Sequence, residues 1–258
     1  MKPVPDPKEW DRLKMDPETK TLIREGIPSI INPLDKHALE AALQVKEAAG
    51  GEVVVVSMAP PLGVPLLKEA LAMGADRGLL LSDRAFAGSD TLATARILSA
   101  AIRRLGPADL VLCGNTTLDG STAQVPSQVA EMLGIPNVMH VCQMILEGPD
   151  RILISQRVEM GIVRLEAEPP ILLSVTKEAN KPRFISFLGI LAAEKREMAV
   201  WSNQELRLDP AAVGLSGSPT KMADLLLRKK ERRGKRLEGD AEEIARQLAD
   251  KMYQMGVL

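Results

Sequence analysis

The feature that most constrains this chain is an alternation of short apolar runs with helical patterns between residues 33 and 134. The turn dipeptide Asn32-Pro33 precedes a helix with Leu39, Ala42 and Leu43 on its apolar side, and Asp35 is its expected cap. A glycine break leads into the β-branched run Val53–Val56. Leu66–Met73 then carries Leu67, Ala70 and Leu71 on one face, and Gly74 closes it. Leu79–Ser82 is a second apolar run. Ser89 or Asp90 caps a helix that reaches about Leu105, where Gly106-Pro107 stops it. Ala108–Gly114 is a third run, and a further helix covers Gln124–Leu133. Strands apolar along their whole length are buried on both faces, which parallel sheets covered by helices achieve. The expected fold is α/β: a doubly wound, mostly parallel, Rossmann-like sheet of the adenine-nucleotide-binding kind, with an extended C-terminal arm.

The flanking segments are less regular. Lys2–Trp10 is a proline-rich loop, and Thr19–Gly26 suggests a short strand or hairpin. The runs starting at Ile152 and Ile171 read as strands without long helices between them. Trp201–Thr220 shows little periodicity. Arg228–Arg236 holds seven basic residues and one acidic residue. A last helix runs from Ala241 to about Tyr253, capped by Asp240, with Ile244, Leu248, Met252 and Met255 as one apolar stripe. The expected division is a nucleotide-binding domain over 1–200 and an arm over 201–258.

Composition removes several classes. In 258 residues, 33 basic side chains meet 34 acidic ones, a net charge of -1, unlike a chain that binds nucleic acid along its length. Six aromatic residues are too few for rows of base-stacking platforms. Cys113, Cys142, His37 and His140 match no standard zinc spacing. The apolar runs are far shorter than a bilayer span, and no signal peptide opens the chain. The expectation is a soluble cytoplasmic protein with no metal, no membrane span and no nucleic-acid partner.

A nucleophile with its base is hard to assemble. Cys113 lies inside an apolar strand, where cysteine is usually a small core residue. Asp76-Arg77 reads as a local ion pair or turn. Phosphate binding has better material, though neither the GxxxxGKS/T nor the GxGxxG motif is present. An open parallel sheet binds ligands at the carboxyl ends of its strands. Three segments converge there: Ser57-Met58, the loop Ala85–Thr94 and the loop Gly114–Val125. Glycines admit close backbone approach, hydroxyls donate to phosphate oxygens, and free amides at helix starts favour anions. The same residue types are ordinary in turns, so the pattern alone leaves both readings open.

Several blocks carry a resemblance in order. They are KPVPD (Lys2–Asp6), TLIREG (Thr21–Gly26), INPLDK (Ile31–Lys36), ALAMGADRG (Ala70–Gly78), LDGSTAQV (Leu118–Val125), KPRF (Lys181–Phe184) and GLSGSPT (Gly214–Thr220). With them the chain resembles the β subunit of electron-transfer flavoprotein, the FixA-type family, over nearly its whole length. The resemblance implies a heterodimer whose α subunit carries one FAD and is embraced by the C-terminal arm of β. In one branch the β nucleotide is AMP. In the electron-bifurcating branch it is a second FAD, which takes a hydride from NADH and splits the electron pair.

Family nucleotide contacts carry over to Asn32, Pro33, Leu34 and Asp35, and to Met58. They also carry over to Gly114, Asn115, Thr116, Thr117, Leu118, Asp119, Gly120, Ser121, Thr122, Ala123, Gln124 and Val125. The loop FAGSDTLAT (Phe86–Thr94) looks like the bifurcating branch, which would put Asp90, Thr91 and Thr94 near the flavin and its diphosphate. FAD is therefore expected, with AMP as the alternative. The family's recognition loop corresponds to 180–194, with Phe187, Leu188 and Ile190 as anchors for an acyl-CoA-type or other flavin dehydrogenase. Ferredoxin or flavodoxin would be the low-potential acceptor. The resemblance makes the chain an electron-carrier subunit, with NADH-dependent bifurcating oxidoreductase activity a property of the heterodimer. Family members open with an apolar strand before the Lys-x-Val-Pro motif. Here Met1-Lys2 stands at that point, so the expected sheet lacks that strand. The competing classes are an adenine-nucleotide enzyme such as an ATP-pyrophosphatase, whose SGGxDS loop is absent, and a nucleotide-sensing domain.

Overall fold

The computed structural model describes residues 1–12, 14–15, 22–23, 26–148, 150–221, 234 and 236–257. The chain opens with β1 (Pro3–Pro5), β2 (Lys14–Met15), β3 (Leu22–Ile23) and β4 (Ser29–Ile31). β1 pairs antiparallel with β4, which sets Lys2 beside Asn32: the Asn32 amide donates to the Lys2 carbonyl at 2.9 Å. Helix α1 (Pro33–Ala49) begins at a proline, which has no N–H to leave unpaired, and ends at Gly50, where φ is 81°. Next come β5 (Val54–Met58), α2 (Val64–Met73) and β6 (Arg77–Leu81). Helix α3 (Thr91–Leu105) is capped by Asp90, whose carboxylate accepts from the Ala93 amide at 3.0 Å. β7 (Leu110–Gly114) leads through a loop to α4 (Val125–Leu133), which Gly134 closes in a left-handed conformation. Then follow β8 (Asn137–Leu146), β9 (Ile152–Val158), β10 (Gly161–Ala167) and β11 (Ile171–Val175). The remaining elements are α5 (Phe187–Ala193), β12 (Met198–Trp201), α6 (Asn203–Leu206) and α7 (Ala241–Gln254).

The architecture is α/β with mostly parallel strands. One half-sheet has the order β12-β6-β5, all parallel. The other has the order β10-β9-β8-β11-β7: β7, β11 and β8 run parallel, while β8, β9 and β10 form an antiparallel meander. Two helices span both half-sheets. α1 sets Leu39 and Leu43 in a cluster with Val55 and Leu80, and Ala38 and Ala41 in another with Leu112 and Val175. α3 packs Ile97 and Ala101 with Leu79 and Leu81, and Ala95 with Val111 and Leu172. Among the described residues no strand joins β5 to β7. The Met1 amino group donates to the Val56 carbonyl on the β5 edge at 2.6 Å. The open edge leaves Leu110–Cys113 of β7 half-buried, whereas every residue of β11 is buried.

The chain divides into two compact units, Met1–Ala223 and Asp224–Leu258. The sequence suggested a boundary after residue 200, but 201–220 packs on the first unit. β12 extends the sheet beside β6, and α6 carries a capping box between Ser202 and Glu205. The Arg96 guanidinium donates to the Ala212 carbonyl at 3.2 Å, and Val213 is buried. This segment is fixed by bonds to distant residues, which leave no periodic pattern. Asp35 is not the cap of α1. Asn32 holds that position, and the Asp35 carboxylate accepts instead from the Lys2 amide at 2.6 Å and Asn32 Nδ2 at 3.0 Å. Asp76 and Arg77 do not pair with each other: Asp76 binds Lys46 and the Val53 amide, and Arg77 binds Glu52. Of the basic run Arg228–Arg236, all but Gly234 and Arg236 lies outside the described residues, as does most of Thr19–Gly26.

In the second unit α7 carries a capping box between Asp240 and Glu243, and none of its residues is buried. Among the described residues no helix is long and apolar enough to cross a membrane.

Candidate functional site

The site begins where β7 ends. A Cβ on Gly114 would fall on Asp35 Oδ1 and lie 2.8 Å from the Leu34 carbonyl carbon. Glycine therefore lets the strand end touch the first turn of α1. Asn32, fully buried, fastens that contact: its Nδ2 donates to the Thr116 carbonyl at 2.9 Å, and its Oδ1 accepts from the Leu118 amide at 3.3 Å. Lys2 closes the other side through an ion pair with Asp119 at 2.7 Å. Burial alone would raise the Asp119 pKa, but the hydrogen bond and charge of Lys2, with bonds from Thr117 and the Gly120 amide, hold it below the usual carboxylate value.

The loop then turns through two left-handed residues that are not glycine, Ser121 with φ 48° and Ala123 with φ 54°. Such conformations cost about 1 kcal/mol or more each and concentrate at functional sites. Gln124 follows in the right-handed region and leads directly into α4. Successive left- and right-handed residues turn neighbouring N–H groups to one side, forming a concavity that suits an anion. The start of α3 lies alongside. Thr91 Oγ1 donates to Gln124 Oε1 at 3.0 Å and accepts from Gln128 Nε2 at 3.4 Å. Two helix N-termini and a backbone concavity thus share one place.

Four buried side-chain oxygens have no hydrogen-bond partner among the described residues: Asn115 Oδ1 and Thr116 Oγ1 on this loop, Gln128 Oε1 in the first turn of α4, and Ser57 Oγ on β5 near Met1 and Lys2. Buried polar atoms are rarely left unpaired in native proteins. Beside Asn115 opens a cavity of about 730 Å³ whose lining includes Leu34, Asn115, His140, Arg157, Thr176 and Lys177. His140 is left-handed, with φ 56°, in the part of β8 where the register shifts against both β9 and β11.

The expected residues are distributed as follows. Asn32, Asp35, Thr116, Leu118 and, through Lys2, Asp119 meet in one connected network against Gly114. Asn115 bonds instead to the Val175 carbonyl and His140, and Thr91 to Gln124 and Gln128. Thr117 enters through its carbonyl, which accepts from the amide and hydroxyl of Ser121. Pro33 is exposed and Leu34 half-buried. Met58 packs beside the Leu79–Ile97 cluster. Thr94 is half-buried one turn into α3. Asp90 is occupied: besides capping α3, its carboxylate accepts from the Thr220 amide at 2.9 Å, and its own amide donates to buried Ser218 Oγ at 2.8 Å. From the sequence Lys2 stood only in a block of the resemblance and His140 was weighed as a zinc ligand, while Arg157 and Lys177 were not singled out. Lys2 sat in a proline-rich loop, and nothing local marks a strand bulge. The Cys113 thiol is pushed up to about 11 by burial, as suits a core residue. Among the described residues no cluster of His, Cys, Asp or Glu could hold a metal ion.

Away from this site, α5 is capped by Ser186 and exposes Phe187, Leu188 and Ile190, at 73%, 75% and 50%. Phe184, just upstream, is 90% exposed.

Comparison with known proteins gives one answer. The family model for the electron transfer flavoprotein domain matches residues 19–206. The electron transfer flavoprotein subunit beta of Thermoanaerobacterium thermosaccharolyticum is 44% identical over 259 aligned positions, covering 100% of this chain and 98% of that protein. Subunit CarD of the caffeyl-CoA reductase-Etf complex of Acetobacterium woodii is 46% identical over 222 positions, 86% of this chain and 83% of that one. Protein FixA of Azotobacter vinelandii is 39% identical over 226 positions, 85% and 79% of the two chains.

Proposed function

The chain belongs to the electron transfer flavoprotein family as a beta subunit of the FixA type, and from that premise we propose that it holds an FAD of its own within a heterodimer. The α subunit carries a second FAD. The observation that carries this reading is the size of the anion cradle. Two helix starts meet at Thr91 and Gln124 beside the Ala123–Gln124 concavity, with the unpaired Gln128 Oε1 in the first turn of α4 and the unpaired Asn115 Oδ1 and Thr116 Oγ1 on the same loop. One phosphate of AMP would leave much of that capacity unused, whereas a diphosphate uses both helix starts. The cavity of about 730 Å³ beyond Asn115 falls within the range of small-molecule and cofactor sites and offers room for a ring system.

When bound, the flavin supplies reversible one- and two-electron chemistry. The chain's own residues bind and orient it. Amides at the starts of α3 and α4 neutralise the diphosphate, Asn32 fixes the loop that carries them, and Gly114 admits the strand end beside α1. Asn115 and Thr116 present acceptors and donors toward the nucleotide. Asp90 stays with the helix cap rather than the ligand, since a carboxylate would repel a diphosphate.

The heterodimer passes electrons between NADH or an acyl-CoA-type dehydrogenase and downstream acceptors, with ferredoxin or flavodoxin as the low-potential acceptor. The name of the Acetobacterium woodii relative, which pairs an Etf with caffeyl-CoA reductase, supports an acyl-CoA-type partner. The exposed side chains of α5 are the docking anchors for that partner, and α7 lays its apolar stripe on the α subunit. The first unit is the nucleotide-binding domain, the terminal helix belongs to the arm, and the complex works in the cytoplasm. Co-expression with the α subunit tests this reading. A yellow heterodimer that NADH bleaches supports it, and a colourless monomer sinks it.

A further inference from the structure

Helix α5 has seven residues and buries only Ala193. A helix of that length does not hold itself in place. Its position comes from anchors on either side: Ile185 packs on the core cluster that holds Leu71 and Ala193, and ahead of it stands Arg183. The Arg183 backbone amide and Nε donate to Glu40 Oε2 at 3.0 and 2.9 Å, and Nη2 donates to Glu40 Oε1 at 3.0 Å. Nη1 donates to Glu47 Oε1 at 2.6 Å. Glu40 and Glu47 lie two turns apart on α1, so one guanidinium grips the helix along its axis. The Glu40 side chain is 6% exposed, and Arg183 is its cationic partner.

Asn180 extends the attachment by a further turn. Its Nδ2 donates to the His37 carbonyl at 2.9 Å, while its carbonyl and side-chain oxygen lie 3.0 and 3.1 Å from His37 Nδ1. On the far side, α5 rests on α2. A Cβ on Gly189 would fall on the Ala72 carbonyl, and Lys68 pairs with Glu194 at 2.9 Å. Those contacts fix the height of α5 over α2. Residues 184–186 enter it held at one point by Ile185 on the core and at the other by Arg183 on α1.

We propose that Arg183 is a positioning residue for partner docking. Its fork to Glu40 and Glu47 fixes the segment entering α5, and so fixes the apolar side chains of Phe184, Phe187 and Leu188 before a partner arrives. Pre-ordering these anchors removes a cost that binding would otherwise carry. Lysine replaces it only in part, because its ammonium lacks the planar fork that matches both oxygens of Glu40 while reaching Glu47 two turns away. The inference rests on the reading of α5 as the docking surface.

The test uses the heterodimer with both subunits, and caffeyl-CoA reductase as the probe partner. Arg183→Gln should speed hydrogen exchange of the amides in 184–193 and raise the KM for the reductase about tenfold while kcat stays unchanged. Arg183→Lys should fall between the two. Phe187→Ala should raise KM without altering exchange. If Arg183→Gln does not fold, because Glu40 is left buried and unpaired, the double variant Glu40→Gln/Arg183→Gln removes both charges and takes its place. Wild-type exchange in the Arg183 variants overturns the proposal. So does faster exchange with unchanged KM when Phe187→Ala does raise KM. An unchanged KM in Phe187→Ala overturns the docking reading of α5 instead, and the exchange rates still decide whether Arg183 fixes the segment.

Discussion

Gly114→Ala is the sharpest perturbation of the nucleotide loop. The added methyl would overlap Asp35 Oδ1 and lie 2.8 Å from the Leu34 carbonyl carbon and 2.9 Å from the Asp35 nitrogen. Two of those atoms are backbone, so no side-chain rotation relieves the contact. Either β7 or the start of α1 must move. Overpacking of this kind costs about 1–3 kcal/mol. The movement also stretches the bonds from Asn32 to Thr116 and Leu118, each contributing about 1 kcal/mol. A total of about 2–5 kcal/mol follows if one or both are lost. Shifting the loop away from α1 misplaces the amides that face the nucleotide, so nucleotide affinity should fall by roughly 30-fold or more. Urea unfolding of the chain and flavin titration of the heterodimer measure the two effects. Gly78→Ala, on β6 and outside the nucleotide loop, is the control, since its nearest neighbours, Met198 and Leu71, are 3.6 and 3.9 Å from the added carbon, an ordinary contact. Wild-type stability and flavin affinity in Gly114→Ala would refute the claim that this approach builds the site.

Lys2→Met should make the protein more sensitive to acid. Asp119 titrates below its ordinary value of 3.8, so the pair's contribution is complete above about pH 5 and fades as pH falls below 3.8. Losing Lys2 should move the acid-unfolding midpoint upward, and an unmoved midpoint would refute the assignment. Cys113 should resist alkylation at pH 8 in the folded chain, because burial pushes its thiol up to about 11. Iodoacetamide should label it only on unfolding, read by mass spectrometry; rapid labelling of the native protein would contradict its place in the core. Deleting Asp240–Leu258 should weaken assembly with the α subunit and leave the first unit folded, as size-exclusion chromatography and circular dichroism would show. Unchanged assembly would remove the terminal helix from the interface.

What the sequence revealed follows the range of the forces involved. Helix α3 was legible because its cap, Asp90, and its stop, Gly106, act within a few residues of the helix they bound. The strands Val54–Met58 and Leu110–Gly114 were legible because they are short, largely apolar runs of β-branched or aliphatic residues, although β5 buries only alternate residues and β7 is half-buried at the open edge. The two glycine- and threonine-rich loops could be placed at the strand ends once the alternation was seen. Asn32 was expected at the site, but its role as a clasp was hidden, since its partners lie 84 and 86 residues away. The same distance effect hid Lys2 with Asp119, and Arg183 with Glu40, a pair 143 residues apart. The packing of 201–220 depends on single bonds to residues such as Asp90 and Ser89, which leave no period in the sequence. The left-handed His140 sits where β8 shifts register against β11, a property of the assembled sheet.

The most direct measurement is nucleotide extraction from the intact heterodimer, with FAD and AMP counted by chromatography against protein concentration. Two FAD and no AMP per heterodimer is the predicted result, one FAD in each subunit, with the one in this chain seated on the starts of α3 and α4. One FAD and one AMP would contradict it, because a single phosphate would then suffice for a cradle whose two helix starts and unpaired oxygens at Asn115 and Thr116 were read as the seat of a diphosphate.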